Sequence, residues 1–287
     1  MAPPHSRIRA LLERLADERR AALVPFFSVG DPDLETSRKS ILAAVDAGAD
    51  IIELGVPFSD PIADGPVIQA SSQRALAAGS SLPRVLETVA ALREQIDVPL
   101  VLFGYYNPFL RYGEEALARD ARAAGADGVL CVDLPPEEAR GLVGACREHG
   151  IDRIFLLAPT SDERRIKAVA AVASGFVYFV SVTGVTGARA QTPAGIDRLV
   201  ARVRERTRLP VGVGFGISTP AQAAAVASYA DLVIVGSALV RTMYEAGARG
   251  AERAVREMVG GLRTALDAAA REREPGGLFG STAAQED

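Results

Sequence analysis

Three carboxylates lie close together early in the chain, at Glu53, Asp60 and Asp64. Glu53 ends an apolar, strand-like run, and the two aspartates follow it in a loop rich in proline and glycine. A carboxyl group at a strand end that faces another on the next loop is suited to proton transfer. Alone, Glu53 would more often pair with an arginine or a backbone group, and Asp60 in Ser-Asp-Pro is typical of a turn. Asp64 is the residue that favours the catalytic interpretation.

Glycine-rich turns later in the chain indicate a second site, for an anion. They occur at 183–187 (Thr-Gly-Val-Thr-Gly), at 214–218 (Gly-Phe-Gly-Ile-Ser) and at Gly236-Ser237, just before a short helix predicted over 238–244. Glycine lets backbone N–H groups approach an anion closely, and a helix N-terminus adds positive potential. Each turn alone is a weak signal. Together they predict a site for a phosphate monoester that needs neither a metal nor a Walker-type lysine.

Large side chains near the predicted strand ends supply the material for a pocket between these two sites. They are Phe26, Phe103, Tyr105, Leu130, Tyr178 and Phe215. Ordinary core packing is the stronger interpretation for Phe26 and Leu130, whereas the hydroxyl of Tyr178 can reach a carboxylate or a substrate. A pocket of this kind beside an anion site implies a flat apolar body attached to a phosphate.

Apolar, β-branched runs alternate with helical stretches, and these elements must position the residues above. Strands are predicted at 22–28, 50–54, 100–103, 128–132, 153–157, 176–180, 210–213 and 232–235. Helices are predicted at 33–46, 82–95, 114–124, 136–148, 161–172, 193–206 and 219–228. The strand runs are continuous rather than alternating, which is typical of parallel strands buried on both faces.

Eight evenly spaced strand–helix units predict an α/β fold, a single-domain (β/α)8 TIM barrel. A doubly wound parallel sheet is the alternative, which the even spacing disfavours. An extra N-terminal helix over 8–19 is expected to cover the bottom of the barrel, and a last helix over 251–271 to close the ring. We expect residues 1–271 to form the catalytic domain and residues 272–287, which are polar and rich in glycine, to form a disordered tail.

The composition limits the class of partner and the compartment. The chain has 287 residues and a net charge of −4, which argues against nucleic acid, because phosphate backbones attract clustered lysine and arginine. No apolar run approaches a membrane span, and the charged N-terminus lacks a secretory signal. Cys131 and Cys146 form no Cys-x-x-Cys motif and predict reduced thiols in a cytoplasmic protein. His5 and His149 are the only histidines, so no metal site is expected.

Taken in order, these motifs resemble the alpha subunit of tryptophan synthase. The resemblance is carried by Pro25-Phe26, 30–32, 53–66, Tyr105, 107–108, 133–135, 184–187, 214–218 and 236–237. The segment 53–66 is very specific, whereas other phosphate-binding barrels share the glycine-rich turns. The resemblance implies a lyase that cleaves indole-3-glycerol phosphate by a retro-aldol reaction to indole and glyceraldehyde 3-phosphate. One departure is Val182, where some relatives carry an arginine.

The resemblance also implies a role for each site residue. Glu53 would transfer protons at C3 of the indole and at the substrate hydroxyl, and Asp64 would face the indole nitrogen. Glu53 can act as an acid near neutral pH only if an apolar barrel mouth raises its pKa. Phe26, Phe103, Tyr105, Leu130, Tyr178, Thr186 and Phe215 would contact the substrate, with Thr186 on a loop that the family closes over it. Gly187, Gly216, Gly236 and Ser237 would hold the phosphate.

Members of this family work with a beta subunit that uses pyridoxal phosphate, and indole passes directly between the two sites. The resemblance therefore implies an alpha2beta2 tetramer, no cofactor in this chain, and a contact surface that includes Asp60, Pro61, Asn107 and Pro108. The only two lysines, Lys39 and Lys167, both lie on predicted helices, and neither is recognisable as a lysine that binds pyridoxal phosphate.

Three alternatives remain open. The first is a stand-alone indole-3-glycerol phosphate lyase that releases indole freely. The second is another sugar-phosphate barrel enzyme, such as an isomerase or an epimerase, although pentose-phosphate epimerases of this fold use metal-binding histidines that this chain lacks at its strand ends. The third is a phosphate-binding barrel that only regulates a partner, which the paired acids argue against.

Overall fold

The fold is a closed parallel barrel. This computed structural model describes residues 6–180, 195–214 and 216–271. Within these ranges eight parallel strands pair in chain order, and the last pairs with the first. They are β1 Ala22–Ser28, β2 Ile52–Gly55, β3 Leu100–Gly104, β4 Gly128–Cys131, β5 Asp152–Leu157, β6 Val177–Val180, β7 Val211–Gly214 and β8 Leu232–Val235. The predicted (β/α)8 barrel is confirmed, and each predicted strand is present with bounds that differ by about two residues or less.

Helices cover the outside of the barrel. They are α1 Arg7–Asp17, α2 Leu34–Asp46, α3 Pro66–Ala77, α4 Leu82–Arg93, α5 Tyr106–Tyr112, α6 Glu114–Ala124, α7 Arg140–Glu148, α8 Glu163–Val172, α9 Ile196–Thr207, α10 Pro220–Ala227 and α11 Ser237–Arg271. Apolar side chains on the outer faces of the strands pack against these helices in one core cluster. Burial on both faces explains why the strands read as continuous apolar runs.

Two helices, α3 and α5, were not predicted. The sequence of α3 carries serine and glutamine where an apolar stripe would continue, so its helical periodicity is weak. Pro66 nevertheless begins it, in the position where the missing N–H of proline has no cost. In α5, Pro108 lies in the first turn and is tolerated for the same reason.

The helix α1 closes the bottom of the barrel, as expected. Its buried residues Ile8, Leu12 and Leu15 join a cluster with inward-facing strand residues, among them Val24 and Ile154. These side chains fill the inside of the barrel from its N-terminal end. The opposite end, where the strands finish, is left for the loops that carry the candidate site residues.

The last helical run, α11, was predicted as two helices. It is interrupted at Gly247, whose φ of 64° and ψ of 170° are not helical. A short first segment therefore follows β8 directly, and a longer second segment packs beside α2 and β1. The second segment closes the ring of helices.

Three aspartates at the bottom of the barrel form what we call the basal clamps: Asp50, Asp127 and Asp231. Each lies just before or at the start of an even-numbered strand, and its carboxylate accepts the N–H of a residue in the odd-numbered strand before it. Each also binds an arginine from the helix next to that odd strand, Arg263, Arg93 and Arg204 respectively. A buried carboxylate paired in this way keeps its hydrogen-bonding groups satisfied.

Candidate active site

The predicted catalytic and pocket residues meet at the carboxyl-end rim of the barrel. Phe26 of β1 is in register with Glu53 of β2, and Gly55 of β2 is in register with Phe103 of β3. The loop after β2 carries Asp64. The parallel register therefore brings side chains that are distant in the sequence to one side of the rim.

Glu53 is fully buried at this rim. Neither of its carboxyl oxygens has a hydrogen-bond partner among the described residues. Burial without a compensating charge disfavours the ionised form and raises the pKa of Glu53 from 4.5 to about 8. At neutral pH the group consequently carries a proton that it can donate. An apolar environment that raises the pKa is the condition under which Glu53 can act as a general acid near neutral pH.

Asp64 is only partly buried and has defined partners. Its Oδ2 accepts a hydrogen bond from the hydroxyl of Tyr105 at 3.0 Å, and that hydroxyl accepts one from the N–H of Ala63 at 3.1 Å. Burial raises the pKa of Asp64 to about 6, an effect that the hydrogen bond from Tyr105 opposes. Asp64 is thus mainly ionised at pH 7 while Glu53 is mainly protonated. Two acids with separated pKa values can serve different roles in one reaction.

Aromatic rings surround the two acids. The ring of Phe103 lies 5.2 Å from that of Phe26 in an edge-on arrangement and 6.5 Å from that of Tyr178. Burial, together with the charges of Glu53 and Asp64, raises the pKa of Tyr178 well above 10, so its hydroxyl stays protonated near both acids. Leu130 is fully buried in the inner cluster of the barrel.

Two glycines at the strand ends make room for these rings. A Cβ atom on Gly55 would lie 2.5 Å from Cζ of Phe26, and one on Gly214 would lie 2.6 Å from Cζ of Tyr178. Real Cβ atoms do not approach other atoms this closely, so any larger residue would displace the ring. The glycines therefore help to fix the shape of the pocket.

The candidate anion site lies at the ends of β7 and β8, which are neighbours in the barrel. Gly216 follows β7 with a φ of +77°, and a Cβ there would meet no atom within 4 Å. Gly236 and Ser237 follow β8 at the start of α11, where the N–H of Val240 binds the carbonyl of Gly236. The pairing of β7 with β8 thus places the turn at Gly216 and the N-terminus of α11 at neighbouring positions on the rim. Thr186, Gly187 and Phe215 lie outside the described residues.

The candidate partner surface lies beside the site, on the loop after β2 and on α5. Asp60 and Asn107 are exposed, Pro108 is partly exposed, and Pro61 is buried within the chain. Two large apolar residues that the sequence reasoning missed are exposed here, Ile62 at 87% and Leu110 at 53%. Nothing in the local sequence distinguishes them from neighbouring apolar residues that are buried, such as Val56 and Phe109.

Side chains of α3 also touch the loop after β2, although none was singled out in the sequence. The hydroxyl of Ser72 accepts the N–H of Phe58 at 2.8 Å and donates to its carbonyl at 2.9 Å. The amides of Gln69 and Gln73 donate to the carbonyls of Asp64 and Ser59. The glycine content of this segment favours a mobile loop. These contacts are a physical reason why the loop is held against α3 instead.

Other kinds of site have little support in the described ranges. No group of three or more His, Cys, Asp or Glu side chains within them is placed to hold a metal ion. None of the helices found there has the length and apolar character that a membrane crossing requires. Cys131 and Cys146 are free and buried, and burial raises the pKa of Cys146 to about 12, so its thiol is unreactive at neutral pH.

Two acids with separated pKa values, at the carboxyl-end rim of a closed parallel barrel, form an arrangement suited to a (β/α)8 enzyme that uses acid–base chemistry. A family model described as tryptophan synthase alpha chain matches residues 12–269. The chain belongs to the tryptophan synthase alpha chain family.

Individual relatives agree with the family model. The chain is 55% identical to the tryptophan synthase alpha chain of Geotalea uraniireducens, over 92% of this chain and 97% of that one. It is 51% identical to the tryptophan synthase alpha chain of Burkholderia thailandensis, over 93% of this chain and 98% of that one. The crystal structure of the alpha subunit from Legionella pneumophila str. Paris is 38% identical with a TM-score of 0.86, over 92% of this chain and 99% of that chain. A chain in the structure of Mycobacterium tuberculosis tryptophan synthase is 42% identical with a TM-score of 0.84, over 91% of this chain and 98% of that chain.

The enzyme is accordingly a lyase. Its reaction is the retro-aldol cleavage of indole-3-glycerol phosphate to indole and glyceraldehyde 3-phosphate, within L-tryptophan synthesis.

Proposed function

We propose that Glu53 moves the protons in this cleavage. The protonated carboxyl would donate to C3 of the indole ring, which makes the ring nitrogen positive. The resulting carboxylate would take the proton of the adjacent substrate hydroxyl while the bond between C3 and the hydroxyl-bearing carbon breaks. The electrons of that bond return to the ring, indole leaves, and the hydroxyl-bearing carbon becomes the aldehyde of glyceraldehyde 3-phosphate. Glu53 ends the cycle protonated, as it began.

The observation that carries this proposal is the environment of Glu53. A carboxyl group that is fully buried, and that has no hydrogen-bond partner among the described residues, is costly for folding. Its pKa of about 8 allows it both to hold and to release a proton near neutral pH. Packing alone gives no reason to keep such a group at a strand end.

Asp64 is the second part of the proposal. Its ionised carboxylate would accept the indole N–H and stabilise the positive charge that develops on the nitrogen after C3 is protonated. Tyr105 holds one of its oxygens at 3.0 Å. Among the described residues, no hydrogen bond is found to the other oxygen, which is the one we assign to the substrate.

The other predicted site residues complete the substrate site in this proposal. The rings of Phe26, Phe103, Tyr105 and Tyr178 would enclose the indole and glycerol, with Leu130, Thr186 and Phe215 as further contacts. Gly216, Gly236 and Ser237 would bind the phosphate together with Gly187. The support is the pairing of β7 with β8, which brings two of these turns together at a helix N-terminus.

The experiment that tests the role of Asp64 is Asp64→Asn, assayed by indole formation from indole-3-glycerol phosphate. We expect a decrease of about 100-fold or more in kcat, since a neutral amide does not stabilise the cationic nitrogen. The matched control is Asp97→Asn, the same change at an exposed loop aspartate just before β3, at the bottom of the barrel. Wild-type turnover in Asp64→Asn would reduce Asp64 to a loop residue.

We further propose that the chain works with a tryptophan synthase beta subunit in an alpha2beta2 tetramer, in the cytoplasm. Pyridoxal phosphate belongs to that partner and takes no part in the cleavage described above. The support is a surface made of Asp60, Ile62, Asn107 and Leu110, where large apolar groups are exposed beside the active-site rim. Large apolar side chains that are exposed close to one another are typical of interaction surfaces.

The partner is tested with Ile62→Asp, a charge placed at the centre of this surface. We expect lower affinity for the beta subunit in size-exclusion chromatography and a smaller activation of indole formation. Tyr244→Asp is the matched control, because Tyr244 is also a large exposed residue but lies on α11. Full activity of the purified chain without any beta subunit would instead support the stand-alone lyase.

A further inference from the structure

The loop between β2 and α3 is held mainly by side chains rather than by regular backbone pairing. Gln69, Ser72 and Gln73 of α3 all donate to carbonyls of this loop. Residues separated by three and four positions share one face of a helix, so these three contacts come from a single side of α3. That side faces the segment which carries Asp64.

The backbone and side chain of Asp64 are each held by a separate partner. Its N–H donates to the carbonyl of Pro61 at 3.0 Å. Its carbonyl accepts from Nε2 of Gln69 at 2.8 Å, and its carboxylate accepts from Tyr105 at 3.0 Å. Fixing the N–H and the carbonyl of one residue fixes both backbone dihedrals beside its Cα. The direction of the Cα–Cβ bond is thereby set before any substrate arrives.

We propose that Gln69 is a positioning residue for Asp64. Through its hydrogen bond to the Asp64 carbonyl it aims the carboxylate at the place of the indole nitrogen. It acts through the backbone and does not itself contact the reacting atoms. This inference rests on the proposed role of Asp64 in the cleavage. Pre-set geometry of this kind matters because a small misplacement of a reacting group can reduce a rate strongly.

The helix also provides a matched control. Gln73 is exposed like Gln69 and belongs to the same face of α3 one turn later. Its Nε2 donates to the carbonyl of Ser59 at 3.1 Å, five residues before Asp64 in the loop. Replacing either glutamine with methionine keeps the length of the side chain and removes the donor. A general role in holding the loop predicts similar effects at both positions, whereas positioning of Asp64 predicts an effect at Gln69 alone.

The experiment compares Gln69→Met and Gln73→Met in the purified full-length chain, with indole formation followed across pH. For Gln69→Met we expect kcat to fall by about 10-fold to 100-fold while KM changes by less than about 3-fold, because the phosphate turns are untouched. We also expect the acidic limb of the kcat/KM profile to move to lower pH by about half a unit, since a released Asp64 carboxylate gains water and its pKa falls. Gln73→Met should retain wild-type kinetics.

Two outcomes would overturn the inference. One is kcat within about 2-fold of wild type in Gln69→Met. The other is an equal loss of kcat in both variants with an unmoved pH profile, which would mean that the loop is only loosened. Failure of the proposed function is distinguishable, because it would appear as normal turnover in Asp64→Asn. If Asp64→Asn is impaired and Gln69→Met is not, only the role of Gln69 is lost.

Discussion

Replacing Glu53 with glutamine separates the chemistry of this residue from its effect on stability. The amide has nearly the same size and shape, so the buried site stays filled. It has no acidic proton for C3 of the indole and cannot take the proton of the substrate hydroxyl. General acid–base groups typically contribute about 10²-fold to 10⁴-fold to a rate, so indole formation should fall by at least that range in Glu53→Gln.

The same substitution should change how stability depends on pH. The pKa of Glu53 is about 8 in the folded chain, against 4.5 for an unperturbed glutamate. Between these values the folded state keeps a proton that the unfolded state has released, so the free energy of unfolding falls as pH rises. A difference of roughly 3.5 pKa units corresponds to about 5 kcal/mol, most of it lost between pH 5 and pH 9. The glutamine variant has no such loss.

The measurement is urea unfolding of wild type and Glu53→Gln at pH 5 and at pH 9. Subtracting the free energy of unfolding of wild type from that of the variant at each pH cancels the contributions of the other titrating groups. From pH 5 to pH 9 this difference should shift in favour of the variant by about 4 kcal/mol. Glu94→Gln, at an exposed helix end, is the control and should show no such gain. A stability difference that stays constant with pH would refute the argument, because Glu53 would then not be a protonated, desolvated acid.

Three further predictions concern neighbouring parts of the molecule. Tyr105→Phe removes the hydrogen bond that lowers the pKa of Asp64, so the acidic limb of the kcat/KM profile should move to higher pH; an unmoved limb would contradict this. Gly214→Ala should lower kcat/KM by about 10-fold or more by displacing Tyr178, and adding Tyr178→Phe should recover part of the loss; no recovery would mean that crowding is not the cause. Arg93→Ala leaves Asp127 without this arginine, so the free energy of unfolding should fall by about 3–5 kcal/mol in urea unfolding. The kcat of the folded enzyme should not change, and a fall in kcat would link the bottom of the barrel to the active site.

The barrel and the position of Glu53 could be predicted from the sequence because both depend on burial. Strands covered on two faces must be apolar throughout, and that leaves a continuous run in the sequence. A carboxylate at the end of such a run is conspicuous for the same reason. The protonated state of Glu53 also followed, since desolvation has a known direction.

The loop after β2 could not be predicted in the same way. Its conformation depends on the polar side chains Gln69, Ser72 and Tyr105, which bind backbone groups and leave no periodic pattern. The helix α3 was missed for the same reason, because its loop-facing side is polar. The raised pKa of Asp64 likewise depends on how the loop folds back over the rim, which no local sequence feature specifies.

The basal clamps have a consequence for the order in which parts of the barrel can form while the chain is being synthesised. Two of them join residues that lie fairly near one another in the sequence, as in the pair of Arg93 and Asp127, which are 34 positions apart. The clamp at Asp50 binds the nearby Arg20 and, in addition, Arg263, which is 213 positions later. The clamps at Asp127 and Asp231 can therefore form from nearby segments, whereas the clamp at Asp50 is complete only when α11 is present. The first pair of strands and α11 thus belong to one structural unit, and the barrel becomes a ring only after β8 has been synthesised and has paired with β1.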